Sequence, residues 1–426
     1  MTRKMKDSGV EWIGEIPEEW SINKTKHYFS YKKVIVGNEV DNYDRLALTL
    51  NGVIKRGKDD SEGLQPEKFE GYQILNKNEL VFKLIDLENI KTSRVGLSKF
   101  DGIVSPAYII LTNKSENNKI FYYYFMSMYY RNIFNKLGGD GVRSSLGNKD
   151  LLNIPIVAID EDEQIKIANY LDNKVANIDQ TIEKEKQVIE KLKEYKQSVI
   201  TEAVTKGLNP NVPMKDSGVE WIGEIPEEWL LPNLSKCADI GSGGTPNRNI
   251  LEYWNNGEIP WMSSGEVNNE YIVDTKEKIT QYAIDNSNAK LLPQNTIMLG
   301  LIGQGKTKGK VAILDIECAC NQNLAYLICN SKILNYKYLF YCFKSMYNYL
   351  RGLVGESQAG IYLPLVKALK IPLPKIEEQS RIICYLDKKC STIDKLISNK
   401  EKVIEKLTEY KKSLIYECVT GKREVQ

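Results

Sequence analysis

Sixteen residues, MKDSGVEWIGEIPEEW, occupy positions 5–20 and recur without a change at positions 214–229, so the chain is built from two copies of one unit. A second echo sets the length of that unit. The segment beginning at Glu163, EQIKIANYLDNKVANIDQTIEKEKQVIEKLKEYKQS, returns from Glu378 as EQSRIICYLDKKCSTIDKLISNKEKVIEKLTEYKKS. Each half therefore reads as a marker, a long variable stretch and a helix. The variable stretches are about 140 residues each, the size of one domain, and they diverge almost completely. Similar ends with dissimilar middles describe one scaffold holding two different readers. A duplicated enzyme would repeat its active-site residues, and no catalytic motif occurs twice.

The helices act as a ruler. Ala168, Val175, Ile182 and Ile189 fall in one heptad register, and Leu171, Ile178, Leu192 and Val199 in the other. The second copy repeats the pattern with Ile383, Cys390, Ile397 and Ile404, and with Leu386, Ile393, Leu407 and Leu414. Some 40 residues without Pro or Gly give a helix of roughly 60 Å, which must find a partner. Its own repeat is the nearest one, and a pseudo-two-fold relation would pair the two antiparallel as an intramolecular coiled coil. The heptads are interrupted at Glu185 and Lys400, which are equivalent positions. Antiparallel pairing would bring these opposite charges near each other and fix the register. Gly207, Pro210 and Pro213 stop the first helix, and Thr420-Gly421 stops the second, where a further marker would begin. That placement suggests a closed, circular arrangement. Trp12, Ile13, Ile16, Pro17 and Trp20 of the marker, with their equivalents, read as an apolar packing clip.

Composition narrows the class. At 426 residues and 42% hydrophobic the chain is globular and multidomain, and no apolar run approaches the roughly 18 residues of a membrane span. A cytoplasmic location is expected. All eight Cys follow residue 236, mostly in apolar segments and without a CxxC, and His27 is the only His, which argues against disulfides, metal sites and His-based catalysis. Net charge is only +2, yet residues 21–157 carry 20 Lys and Arg against 15 acids, and residues 230–373 carry 14 against 11. The positive excess sits in the variable domains.

One motif misleads. GLIGQGKT at positions 300–307 fits the phosphate-binding loop pattern letter for letter. That loop needs a following helix whose N-terminus faces the phosphates, and here KGKVAILD follows, the return strand of a hairpin. Lys306, Lys308 and Lys310 on such a turn suit a nucleic-acid backbone better. There is no Asn/Asp-Pro-Pro-Tyr tetrapeptide and no GxGxxG, so no methyl donor or other cofactor is expected on this chain. β-rich runs fill both variable stretches, which close with aromatic helices, FYYYFMSMYY and KYLFYCFKSMYNYL, read chiefly as core.

The marker, the GGTP and IPW of the second half, the GIVSPAY of the first and the paired EQ…YLD…ID…EKL.EYK..S helices resemble the specificity subunit of type I restriction-modification systems, over essentially the whole chain. The resemblance implies an α+β fold: two β-rich target recognition domains in pseudo-two-fold repeat, joined by two long antiparallel helices. Its domains would be 1–157 (first target recognition domain), 158–206 (central conserved helical region), 207–373 (linker and second target recognition domain) and 374–426 (distal conserved helical region). It implies a non-catalytic subunit that reads a bipartite double-stranded DNA site, one half per domain. The helices would set the spacer and bind two modification subunits, with restriction subunits outside; S-adenosylmethionine would bind the modification subunit, which methylates adenine. The specificity component of another methylation-based defence system is the alternative, and a nucleotide-driven enzyme using the loop at 300–307 is a more distant one. Base readout needs donors and acceptors on loops. The DNA-contact candidates are Lys55, Arg56, Lys91, Arg94, Arg143, Ser144 and Ser145 in the first domain, and Thr245, Arg248, Ser263, Ser264, Lys306, Lys308, Ser357 and Gln358 in the second.

Overall fold

Two helices without a proline or glycine dominate the architecture: the central helix Glu161–Lys206, of 46 residues, and the distal helix Ile376–Val419, of 44. Acidic residues fill both first turns, where the helix dipole favours them. Gly207 and Gly421 follow the last turns in the left-handed conformation that ends a helix, with φ of 76° and 71°. The computed structural model describes residues 3–58, 68–87, 93–113, 117–138, 145–303, 307–353 and 360–425. The chain divides into two compact units, Met1–Glu185 with Glu401–Gln426, and Lys186–Lys400, so each unit holds one variable domain and part of each long helix.

In the first unit the helices pair through Leu171, Ile178 and Ile182 against Leu414 and Ile415, with Lys411 Nζ 2.6 Å from Asp179 Oδ1. In the second, Val199, Ile200 and Val204 join Ile382, Leu386 and Cys390, and Lys196 Nζ lies 2.7 Å from Asp394. The lower-numbered end of one helix meets the higher-numbered end of the other, the antiparallel coiled coil that the heptads predict. Val175, Leu192, Ile397, Ile404 and Leu407 are only partly buried. Glu185 and Lys400 are partly buried as well, at inward heptad positions of their own helices.

Each variable domain is built on the same antiparallel strand order. In the first, Phe29–Lys32, Ile109–Asn113, Leu80–Phe82 and Val95–Leu97 lie side by side; in the second, Ala238–Ser242, Leu324–Cys329, Ile297–Gly300 and Val311–Leu314 do, with Tyr271–Ile272 added in parallel at the edge. A further sheet in each contains one parallel pair, Arg45–Thr49 with Gly102–Val104 and Ile259–Met262 with Ala319–Cys320. Gly96 seats the first domain's sheets on each other, because a Cβ there would meet Leu48 and Val53.

The markers form identical two-stranded clips, Met5–Asp7 with Glu15–Pro17 and Met214–Asp216 with Glu224–Pro226. In the first unit the buried Trp20 donates its indole N–H to Glu163 at the start of the central helix, 2.7 Å away, and the distal helix ends on the same clip: Tyr416 donates to Ile13 O at 2.9 Å, and any Cβ on Gly421 would collide with Pro17 and Trp20. In the second unit Trp229 donates to Glu378 at 3.2 Å and lies against Gly207. Each clip therefore fastens the end of one long helix to the start of the other within its own unit. All eight Cys are free thiols, and burial pushes those of Cys318, Cys320, Cys329 and Cys418 up to about 12, which keeps them protonated.

Candidate nucleic-acid interface

In both domains one hairpin of the antiparallel sheet flanks a segment with two cationic candidates, Lys91 and Arg94 in the first and Lys306 and Lys308 in the second. Leu80–Phe82 and Val95–Leu97 flank residues 83–94, and Ile297–Gly300 and Val311–Leu314 flank residues 301–310. The second hairpin has antiparallel strands, and the described residues after the loop, 307–314, form a turn and a strand, so the helix that a phosphate-binding loop needs is not among them. A second loop stands beside each hairpin. Leu146 N donates to Leu84 O at 2.9 Å in the first domain, and Ile361 N donates to Leu301 O at 2.8 Å in the second. The equivalent hydrogen bond recurs in two unlike domains, tying residue 146 to residue 84 in the first and residue 361 to residue 301 in the second. Lys91, Arg143, Ser144, Lys306, Ser357 and Gln358 lie outside the described residues. Ser145 is exposed at the base of its loop.

Two of the described cation candidates, Arg94 and Lys308, are buried. Arg94 is 1% exposed; its guanidinium points back beneath the loop and donates to Ile85 O at 3.3 Å and Asp86 O at 2.9 Å. Burial lowers its pKa, but a guanidinium stays charged, and it spends its donors on carbonyls of its own loop. Lys308 is 6% exposed in the turn that Thr307 closes by donating its hydroxyl to Ile302 O at 2.5 Å. Both residues frame loops rather than face solvent. Arg248 is held by the Glu277 carboxylate and stacks 3.9 Å over Trp254, which raises its pKa chiefly through the Glu277 hydrogen bond. Ser263 caps the short helix Ser264–Asn268 through Glu266, which accepts from its backbone N–H at 2.7 Å and its hydroxyl at 2.9 Å.

Arg248 itself is exposed, as are Lys55 and Thr245, whereas Arg56, Ser263 and Ser264 are half-buried. Lys55 and Arg56 end the strand Gly52–Arg56 in the other sheet of the first domain, and Lys55 pairs with Asp44 at 2.6 Å. Thr245 is exposed and hydrogen-bonded to Gln322, and Ser264 is half-buried.

Sequence reasoning missed the polar lock that seats each domain's aromatic helix on a long helix. Tyr123 of Lys119–Tyr130 donates to Asp172 at 2.7 Å and Lys119 pairs with the same carboxylate; Tyr341 of Tyr336–Ser345 donates to Asp387 at 2.7 Å, with Lys337 beside it. Burial, then the Asp hydrogen bond, raises both tyrosine pKa values above the ordinary range. The YLD triplet kept in both helices was the available signal.

Residues 7–194 and 226–408 match the family model for the type I restriction modification DNA specificity domain. The chain belongs to the type I restriction-modification specificity family. The MjaVIII specificity subunit of Methanocaldococcus jannaschii is 26% identical over 441 residues, covering 96% of this chain and 94% of the relative. The EcoR124I/EcoR124II specificity subunit of Escherichia coli is 30% identical over 213 residues, 47% of this chain and 49% of that one, so the chain spans about half the length of that relative. Among solved structures, a chain from work on complex assembly and conformational transition of the type I R-M system superposes with a TM-score of 0.73 at 14% identity, over 96% of this chain and 99% of that one. The HsdS subunit from Thermoanaerobacter tengcongensis gives 0.53 at 14% identity, over 96% and 98%. At such identity the structural likeness concerns the fold alone. The two family matches make both variable domains DNA specificity domains. Among the described residues no helix is long and apolar enough to cross a membrane.

Proposed function

We propose that residues 1–157 and 207–373 each read one half of a bipartite, asymmetric DNA site, and that regions 158–206 and 374–426 set the spacer and dock two copies of one modification subunit. One observation carries the docking. Val188 and Tyr195 on the central helix are 39% and 53% exposed, and their repeat equivalents Val403 and Tyr410 on the distal helix are 40% and 47% exposed. Seven residues is two helical turns, so each pair forms one apolar stripe. Glu190, Lys191, Glu194 and Ser198 beside it recur as Glu405, Lys406, Glu409 and Ser413. Solvated surface has no reason to stay the same twice while whole domains diverge, and two identical partners supply one.

In this reading the chain is non-catalytic and holds no cofactor of its own. The modification subunits bind S-adenosylmethionine and methylate adenine, restriction subunits join outside them, and the assembly works in the cytoplasm, where the DNA is. The contacts proposed for DNA are Lys55, Arg56, Lys91, Arg143, Ser144 and Ser145 in the first domain, and Thr245, Arg248, Ser263, Ser264, Lys306, Ser357 and Gln358 in the second.

Co-expression with the neighbouring modification subunit, followed by single-molecule mapping of adenine methylation, tests the reading. A single bipartite, asymmetric motif is expected. Val188→Glu with Tyr195→Glu should weaken partner binding on the order of a hundredfold by removing two buried apolar contacts, with the circular dichroism spectrum unchanged. Wild-type chain that binds the partner and directs no methylation, or stripe variants that assemble normally, would sink it.

A further inference from the structure

The two recognition hairpins share few residues, and all but one have a structural reason to be shared. Asn78 and Asn295 open them in the left-handed conformation, with φ of 67° and 69°, which Asn tolerates better than most residues. Leu84 with Leu301, and Val95 with Val311, are buried in the domain cores. The exception is the isoleucine after the shared leucine. Ile85 is 41% exposed and Ile302 is 44% exposed, so neither serves a core.

Their surroundings match as well. Each precedes a left-handed residue, Asp86 with φ of 53° and Gly303 with φ of 113°, so the chain turns sharply just beyond the isoleucine. Each follows the leucine whose carbonyl accepts from the neighbouring loop. In the first domain Arg94 fixes Ile85 from beneath by donating to its carbonyl oxygen; in the second Ile302 bridges to Gly360, where the close approach of its side chain leaves no room for a Cβ without adjustment. An exposed β-branched apolar residue with an anchored backbone thus follows the shared leucine in both hairpins, in domains that match a DNA specificity family.

We propose that Ile85 and Ile302 are equivalent apolar DNA contacts, each touching the 5-methyl group of a thymine in the half-site that its domain reads. This rests on the half-site reading above. Isoleucine offers no hydrogen bond, and the thymine methyl is the apolar group that the major-groove edge of a base pair presents. Polar candidates elsewhere in each domain would read donors and acceptors, while the isoleucine reads the methyl.

The test uses the complete complex with its modification subunits and duplexes carrying the mapped site, with the thymines of one half-site replaced by deoxyuridine. Wild type should bind each substituted duplex about fourfold more weakly, the effect of one lost methyl contact. Ile85→Ala should bind the natural duplex on the order of tenfold more weakly and be insensitive to deoxyuridine in one half-site only; Ile302→Ala should be insensitive in the other half-site only. Ile→Val at either position should lie between. Alanine variants that bind like wild type, while the wild-type complex still selects its site, would overturn the contact and leave the half-site reading standing. Alanine variants weakened equally on both duplexes would replace methyl readout by a wedge between bases. A wild-type complex without sequence preference would remove both readings together.

Discussion

The aromatic helices of the two domains solve one problem from different positions. In both, a tyrosine hydroxyl reaches the carbonyl of a proline, the first residue of the last strand in the first domain and the residue before the last bridge in the second. In the first domain it is Tyr124, 2.8 Å from Pro155 O; in the second it is Tyr338, 3.1 Å from Pro372 O and 3.1 Å from Val204 O. Taking Tyr123 and Tyr341 as equivalent, because both bond the aspartate of the YLD triplet, Tyr338 falls where the first domain has Ile120, and Tyr124 where the second has Cys342. Four residues is about one helical turn, so the two hydroxyls project from the same face. The duplicated domains have kept the satisfied carbonyl rather than the residue. A buried carbonyl without a donor is costly wherever it sits, whereas several side chains can supply one.

The markers show the opposite case, identical residues in identical roles, and they give the largest effect by which the comparison can be broken. Trp20→Ala and Trp229→Ala should each cost about 3–5 kcal/mol, the usual penalty for truncating a buried Trp. Hydrogen exchange should show protection lost first at the helix start that the indole caps, near Glu163 for one variant and near Glu378 for the other. Equal loss in both units from either variant would show that the clips are not separate fasteners. Tyr124→Phe and Tyr338→Phe come next, at about 1–3 kcal/mol each for a carbonyl left without its donor. Similar values by urea unfolding would support one role filled from two positions. A Tyr124→Phe variant as stable as wild type would show that Pro155 O finds its partner elsewhere.

Much of this was legible in the chain. Heptads, Gly207 and Gly421 gave both helices and their ends, and the antiparallel pairing followed from the repeat, because repetition and periodicity are local signals. The hairpin at 297–314 was legible because no amphipathic pattern follows the glycines. The burial of Arg94 and Lys308 was not legible, because residue type reports a preference for water, while burial is decided by what the fold packs around a side chain. The Tyr123 and Tyr341 locks were hidden for a similar reason: a tyrosine-rich helix reads as core, and its hydroxyl partners come from another part of the chain. Ile85 and Ile302 were in plain view as a shared Leu-Ile pair, but only their exposure separates them from ordinary core.

The smallest expected effect concerns Glu185 and Lys400, which occupy the same position in the two helix repeats with opposite charge. Each interrupts its own heptad at an inward, partly buried site. Removing both charges should relieve desolvation and add apolar contact, so Glu185→Leu with Lys400→Leu should leave thermal stability unchanged or raise it by about 1 kcal/mol. Either single variant leaves one charge at an inward position and should be less stable than the pair. If the two charges serve register, as the antiparallel heptads suggest, the double variant should gain stability while losing uniqueness of pairing, the behaviour expected when a polar heptad residue is made apolar. Broadened amide signals along both helices, with a higher melting temperature, would support a register role. A double variant that melts below wild type would mean that the charges stabilise the helices outright, and the register reading would fall.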